Sequence, residues 1–119
     1  MRNYFLEYVS ANTFEYRPKV INEVLDIFAN AIVFDKEFYG ELFEFNSDIL
    51  YSDSGEESYR NDLFAYCLAH LTEDVWFEDI EIVELNIKAR TCTIIYDEMI
   101  NEDLEEIAAK IGFSFTYVE

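Results

Sequence analysis

This chain must close a hydrophobic core while keeping a large surplus of like charge on its surface. Its 119 residues include 26 acids and only 8 bases, which gives a formal net charge of −18 at pH 7. Small soluble domains commonly have a net charge of magnitude roughly 2–8, so mutual repulsion opposes folding here far more than solubility requires. Each element of the fold is therefore expected to separate a buried apolar face from an exposed acidic one.

The acidic residues are concentrated in the middle of the chain. The net charge is −1 over residues 1–34, −13 over 35–84, +2 over 85–96 and −6 over 97–119. Lys36 is the only base between Asp35 and Arg60, whereas solvated helix faces usually interleave glutamate with lysine. This depletion of cations favours a surface selected for a positively charged partner. Adaptation to high salt is a weaker interpretation, because the apolar residues here include many large Phe and Ile side chains.

The composition is that of a folded protein. Hydrophobic residues make up 51% of the chain and aromatic residues 18%, in contrast to acidic disordered segments, which lack both. The length and the absence of a linker-like stretch predict one domain over residues 1–119. No run approaches the roughly 20 apolar residues of a membrane span, and the N-terminus lacks a signal-peptide pattern. We therefore expect a cytoplasmic protein without membrane contact.

The first half of the chain predicts a strand followed by three helices. The strand is Tyr4–Val9, and the helices begin near Pro18, at Asp35 and at Ser58, which are suited to a first turn or an N-cap. Apolar residues at helical spacing give the three buried faces. These faces comprise Ile21, Val24, Leu25, Phe28, Ala31 and Ile32; Phe38, Leu42, Phe45 and Ile49; and Leu63, Phe64, Cys67, Leu68 and Leu71.

The second helix of this half has an alternative interpretation. Gly40 weakens the helical prediction, so a strand over Leu42–Tyr51 stays open as an alternative. Asn46–Ser58 is polar and acidic, which predicts a loop before the third helix.

The second half predicts a hairpin, a helix and a closing strand. Alternating apolar residues indicate one strand from Ile80 to about Lys88 and another with Cys92, Ile94 and Tyr96, joined at Ala89–Arg90. Asn101 is expected to cap the last helix, with Leu104, Ile107, Ala108 and Ile111 on its buried face. Gly112 suits the left-handed position that ends this helix, before a strand over Phe113–Val118. The order βαααββαβ predicts a single α+β domain, with helices packed on an antiparallel-leaning sheet.

The sequence offers little for catalysis or metal binding. His70 is the only histidine, and hydrogen bonding to Glu73 or Asp74 is its expected role. Cys67 and Cys92 are far apart and lie in apolar segments, which favours reduced core thiols, although a disulfide between them stays open. The acidic loop misses the spacing of a calcium-binding loop. We therefore expect no enzyme activity, no catalytic or metal site and no cofactor.

The acidic residues fall into rows that can interact with a cationic surface. Along a helix, acids at i and i+4 are about 6 Å apart, a separation comparable with that of backbone phosphates. The candidate partner-binding acids are Glu37, Glu41, Glu44, Asp48, Asp53, Glu56, Glu57, Glu73, Asp74, Glu78, Asp79, Glu81 and Glu84. On the predicted strand, Asp79 and Glu81 lie on one side and Glu78 and Glu84 on the other. Tyr39, Tyr51 and Tyr59 flank the acidic stretch and are the expected aromatic anchors of such an interface.

In charge and size the chain resembles the DNA-mimic inhibitors that phages and mobile elements deploy against restriction and CRISPR systems. The resemblance includes no motif, and because such proteins differ in fold, it assigns no role to any residue. It implies an inhibitor that occupies the nucleic-acid groove of a basic enzyme, such as a nuclease or a Cas effector, without binding nucleic acid directly.

Two alternatives to this inhibitor hypothesis stay open. One is an immunity protein that neutralises a basic, nuclease-like toxin through the same electrostatics without imitating nucleic acid. The other is a metal-dependent enzyme or calcium-responsive module, which would be stabilised by divalent ions beyond the effect of ionic strength. The sequence leaves the target and the oligomeric state open.

Overall fold

The computed structural model describes residues 16–48, 55–72, 80–95 and 101–118. Within these ranges it contains four helices and three strands in the order αααββαβ, which confirms the predicted α+β class. The predicted first strand, Tyr4–Val9, lies outside the described residues. The chain divides into two units, Met1–Arg60 and Asn61–Glu119, which are described in turn. The single-domain assignment stays a prediction.

Helix α1, Tyr16–Ile27, has Pro18 in its first turn, where the missing N–H leaves no hydrogen bond unmade. Its buried face agrees with the prediction, with Ala31, past the end of the helix, only half-buried. Beyond Ile27 the chain turns, and the Ile32 N–H donates to the Phe28 carbonyl at 2.9 Å. The buried side chains of this segment are Val20, Ile21, Val24, Leu25, Phe28 and Ile32.

Helix α2, Lys36–Asp48, begins where the sequence predicts. The Phe38 N–H donates to the Asp35 Oδ1 at 2.9 Å, so the aspartate caps the helix as expected. Phe38, Leu42 and Phe45 are buried, and the fourth predicted core residue, Ile49, lies outside the described residues. Because the helix continues to Asp48, the strand alternative is wrong over residues 42–48, and the predicted loop begins too early.

Helix α3, Glu56–Leu71, starts earlier than predicted and crosses the boundary between the two units. The Tyr59 N–H donates to the Gly55 carbonyl at 3.0 Å, so Gly55, with φ of 95°, precedes the helix. Ser58 lies within the first turn, and its predicted role as the N-cap is wrong. Glu56 and Glu57 occupy this turn, where carboxylates interact favourably with the positive end of the helix dipole.

The second half of α3 is buried around most of its circumference, as expected for a helix with apolar residues on several sides. Four of the five predicted core residues are buried, and Leu71 is half-buried. The buried side chains of this half are Leu63, Phe64, Ala65, Cys67, Leu68 and Ala69.

A three-stranded sheet of order β1-β2-β3 belongs to the second unit. Its strands are β1, Glu81–Asn86; β2, Thr91–Ile95; and β3, Ser114–Val118. The predicted hairpin is confirmed: β1 and β2 are antiparallel, and their turn places Arg90 at φ of 56°. The sheet is mixed, because β3 pairs in parallel with β2 after a helical crossover.

Helix α4, Asn101–Ile111, provides that crossover and contacts β3. Of its predicted face, Leu104, Ile107 and Ile111 are buried and Ala108 is half-buried. Gly112 has φ of 72°, and its N–H donates to the Ala108 carbonyl at 2.9 Å, which confirms the predicted left-handed helix end. The Asn101 side chain is not among those described, so its capping role stays a prediction.

The capping hydrogen bond of α2 can be tested by substitution at Asp35. Asp35→Ala removes the acceptor and should lower the free energy of unfolding by about 1 kcal/mol, measured by urea denaturation. Asp35→Asn is the matched control, because it keeps an acceptor oxygen and loses the charge. If Asp35→Asn destabilised the protein as much as Asp35→Ala, charge and not the cap would hold this helix end.

Candidate functional site

The two sides of α2 differ sharply in chemistry. Phe38 and Leu42 are at most 1% exposed on the inner side, while Glu37, Glu41 and Glu44 are all exposed. We call these three glutamates the α2 acidic row. With a rise of about 1.5 Å per residue, the row covers about 10 Å of the helix. Asp35 fixes the start of the helix, and the buried side chains fix its rotation about its own axis. The Cα positions of the three glutamates are therefore set by the fold.

The remaining predicted acids are spread over different elements or lie outside the described residues. Glu56 and Glu57 are exposed in the first turn of α3, and Glu81 and Glu84 are exposed on β1, in the second unit. Asp48 ends α2, and its side chain is not among those described. The predicted contact residues outside the described ranges are Tyr51, Asp53, Glu73, Asp74, Glu78 and Asp79. The α2 acidic row is thus the largest predicted group that the structure places on one element.

A bulge in β1 changes the predicted side of Glu84. Ile82 pairs with Ile94, but Glu84 pairs with Thr93, so the register shifts by one residue at Val83. The extra residue places Glu81 and Glu84 on the same exposed face, and their placement on opposite sides was wrong. Sequence alternation cannot reveal a bulge, because it assumes an unbroken period of two.

The two predicted aromatic anchors that the structure describes differ in their exposure to solvent. Tyr59 is 1% exposed, and its ring packs edge-on against Tyr16 with the ring centroids 6.0 Å apart. It is a core residue, and its predicted role in partner binding is wrong. Tyr39 is half-buried, and its ring packs against that of Phe38 with the ring centroids 5.8 Å apart. Its predicted role in partner binding stays a prediction.

Arg60 compensates part of the acidic charge from within the first unit. Its Nε donates to the Glu23 Oε2 at 2.9 Å, and its second guanidinium nitrogen lies 3.7 Å from the Glu56 Oε2. The Arg60 side chain is only 18% exposed. Glu56, although exposed, is therefore paired with a cation of its own chain, which lowers its value as a partner contact. The Glu56 and Arg60 spacing of i and i+4 was visible in the sequence, but the long-range contact with Glu23 was not.

Two residues on the outer side of α2 were not predicted as site residues. Gly40 lies in the middle of the helix, and Phe43 is 40% exposed. Gly40 adjoins the α2 acidic row, because Glu37 and Glu44 lie three and four residues from it and residues at these spacings are neighbours on a helix surface.

The described residues offer no reactive thiol and no metal cluster. Cys67 and Cys92 are free and buried, and burial raises the pKa of both thiols, that of Cys92 to about 12. Neither is a thiolate at neutral pH, which the nucleophilic form requires. Desolvation also raises the pKa of the Asp62 carboxyl on α3. Across residues 16–48, 55–72, 80–95 and 101–118, no group of three His, Cys, Asp or Glu side chains is placed to hold a metal ion.

Comparison with protein-family models, with curated proteins and with solved structures finds no match for this chain. Among the described helices, none has the length and apolar character needed to cross a membrane. Any functional conclusion therefore rests on the chemistry of the surface itself.

The Arg60 contact can be tested by removing its charge. Arg60→Gln should lower the free energy of unfolding by about 1–2 kcal/mol in low salt, because it breaks a charge-assisted bond and leaves Glu23 and Glu56 facing each other. Lys36→Gln is the control, because it removes the same charge at an exposed position and should cost less than about 0.5 kcal/mol. The free energies of unfolding are measured by urea denaturation. An equal decrease for the two variants would show that net charge, and not the Arg60 contact, determines the stability.

Proposed function

We propose that the protein is a non-enzymatic inhibitor of a nucleic-acid-binding enzyme and that its carboxylates occupy the enzyme's basic groove in place of phosphates. The α2 acidic row is the observation that supports this proposal most directly. Its three carboxylates are held on a helix whose opposite side is buried, so binding would require little ordering of the interface. Restriction nucleases and CRISPR–Cas effectors are the proposed targets.

Charge complementarity supports a protein target over nucleic acid. Nucleic acids are bound through lysine and arginine, whereas this chain has a net charge of −18 and would be repelled by phosphates. A groove built to neutralise phosphates attracts regularly spaced carboxylates by the same electrostatics. The carboxylates of α2 are separated by about 6 Å or less along the axis, within the range of phosphate spacing.

A direct test measures DNA cleavage and DNA binding by purified enzymes in the presence of this protein. The panel contains a guide-loaded Cas effector, a restriction nuclease and a nuclease toxin domain. The proposal expects inhibition of the effector or the restriction nuclease when the protein is added before DNA, and weaker inhibition when DNA is bound first. Neutralisation of the toxin alone would favour the immunity-protein alternative, and no inhibition of any of the three would contradict the proposal.

The role of the α2 acidic row is tested by the triple variant Glu37→Gln, Glu41→Gln and Glu44→Gln. Glutamine keeps helix propensity, so the fold should persist while affinity for the inhibited enzyme falls roughly tenfold or more and depends less on salt. The control combines Asp26→Asn, Glu105→Gln and Glu106→Gln, which remove the same charge from exposed sites on other helices. If both variants lost affinity equally, bulk charge and not the row would drive binding.

A further inference from the structure

Three exposed apolar side chains lie close together on one face of the sheet. Val83 is 53% exposed, Ile95 is 39% exposed and Val118 is 41% exposed, and these are three of the five large apolar side chains that are exposed in the described residues. Ile95 and Val118 pair in the register of β2 and β3, so they are neighbours on strands about 4.8 Å apart. A solvated sheet face usually carries polar side chains, so this group is an exception that calls for a partner.

The bulge in β1 gives the apolar group an acidic border. In an unbroken strand, Val83 and Glu84 would point to opposite faces. The register shift between them and β2 leaves both exposed. Glu81, which pairs with Ile95, lies on the same face. We call this surface the sheet patch; it is formed by Glu81, Val83, Glu84, Ile95 and Val118.

The sheet patch has no positive charge of its own. Within the described strands, none of the residues on this face is a base. The only bases between Glu81 and Ile95 are Lys88 and Arg90, which lie in the turn between β1 and β2. That turn lies beyond Thr91, which is four residues, or about 13 Å, along β2 from Ile95. The carboxylates of the patch are therefore left to attract a cation from another molecule.

We propose that the sheet patch binds a segment of the basic partner that carries aliphatic and cationic side chains side by side. An aliphatic side chain covers Val83, Ile95 and Val118, which removes apolar surface of both molecules from water. Lysine or arginine beside it pairs with Glu81 and Glu84. The segment lies on the face of the sheet, because a bulge and charged side chains protect the outer strand β1 from strand addition. The inference rests on the proposed function, because it names a second contact region for the same partner.

Charge favours this occupant over a second copy of the chain. Two copies, each with a net charge of −18, repel each other. A two-fold contact through the sheet patch would use the same surface on both copies, so it would bring Glu81 and Glu84 of one copy close to the same glutamates of the other. A partner with lysine or arginine at these positions gains attraction where a second copy meets repulsion.

The test compares two peptides of equal length and charge as probes, one of lysine and leucine and the other of lysine and serine, with affinity measured by calorimetry. Wild-type protein should bind the leucine peptide about tenfold more tightly, which is the factor expected from covering about one aliphatic side chain. Ile95→Thr and Val118→Thr should each reduce this preference to about threefold or less. No preference in the wild type, or a full preference in both variants, would overturn the inference.

Val33→Thr is the matched control for these substitutions. Val33 is 79% exposed and lies in the first unit, outside the sheet patch. This variant should keep the full preference for the leucine peptide, and an equal loss would show that the peptide adheres to any exposed apolar side chain and would overturn the inference. Threonine suits strands, and the substituted sites of the sheet are exposed, so the midpoint of urea denaturation should change little and confirm that the fold persists.

The same variants distinguish this inference from the proposed function. A preference for the leucine peptide that depends on Ile95 and Val118, combined with no inhibition of any enzyme in the panel, would keep the sheet patch and reject the target class. Equal enzyme inhibition by wild type and by Ile95→Thr, with no preference between the peptides, would reject the sheet patch and keep the inhibitor.

Discussion

Repulsion between carboxylates is the constraint on which the rest of this structure depends. A net charge of −18 in 119 residues raises the free energy of any compact state, and burial of apolar side chains must offset it. The described core accordingly contains almost exclusively hydrophobic residues, with Thr72 as the one buried polar residue among those described. The acids are left to the surface, where water and salt reduce their repulsion.

Helix α2 shows how this division places a row of carboxylates on one exposed side of a helix. Its aromatic and aliphatic side carries Phe38, Leu42 and Phe45 into the core, and this burial fixes the direction of the glutamates on the neighbouring side. The Asp35 cap sets the helix start and so the register of both sides. Glutamates on a folded helix lose less backbone entropy on binding than the same residues in a flexible segment would, which is why such a row suits recognition.

Arg60 marks the part of the acidic surface that serves stability instead. Its guanidinium pairs with both Glu23 and Glu56 within the first unit and compensates one of their two negative charges. The α2 acidic row, by contrast, borders a glycine whose presence the described packing does not require. Alanine would be the better helix former at this position, so Gly40 lowers the stability of α2.

The sequence was sufficient for much of this architecture, and the failures have physical causes. Periodicity identified the buried faces of the helices because side-chain burial follows helix geometry, and Asp35 and Gly112 were recognisable from their local chemistry. Ser58 misled because a good capping residue also fits within a first turn when glycine precedes the helix. The bulge at Val83, the burial of Tyr59 and the contact of Arg60 with Glu23 depend on tertiary packing, which a pattern along the chain does not encode.

The candidate site was predictable in part for the same reasons. The sequence placed Glu37, Glu41 and Glu44 on one face of a helix, since their spacing alone determines that result. It did not predict that Phe43 is exposed, because exposure is a property of the folded chain.

The most direct test of this account is the melting temperature of the protein as sodium chloride is raised from very low concentration to about 0.15 M, where the Debye length falls to about 8 Å. If the surplus carboxylates are ordered and uncompensated within the chain, screening should relieve their repulsion and raise the melting temperature by several degrees. The rise should be smaller for a variant with fewer surface glutamates. A flat response would mean that the chain neutralises its own acids, and the central claim of an acidic surface available to a cationic partner would be wrong.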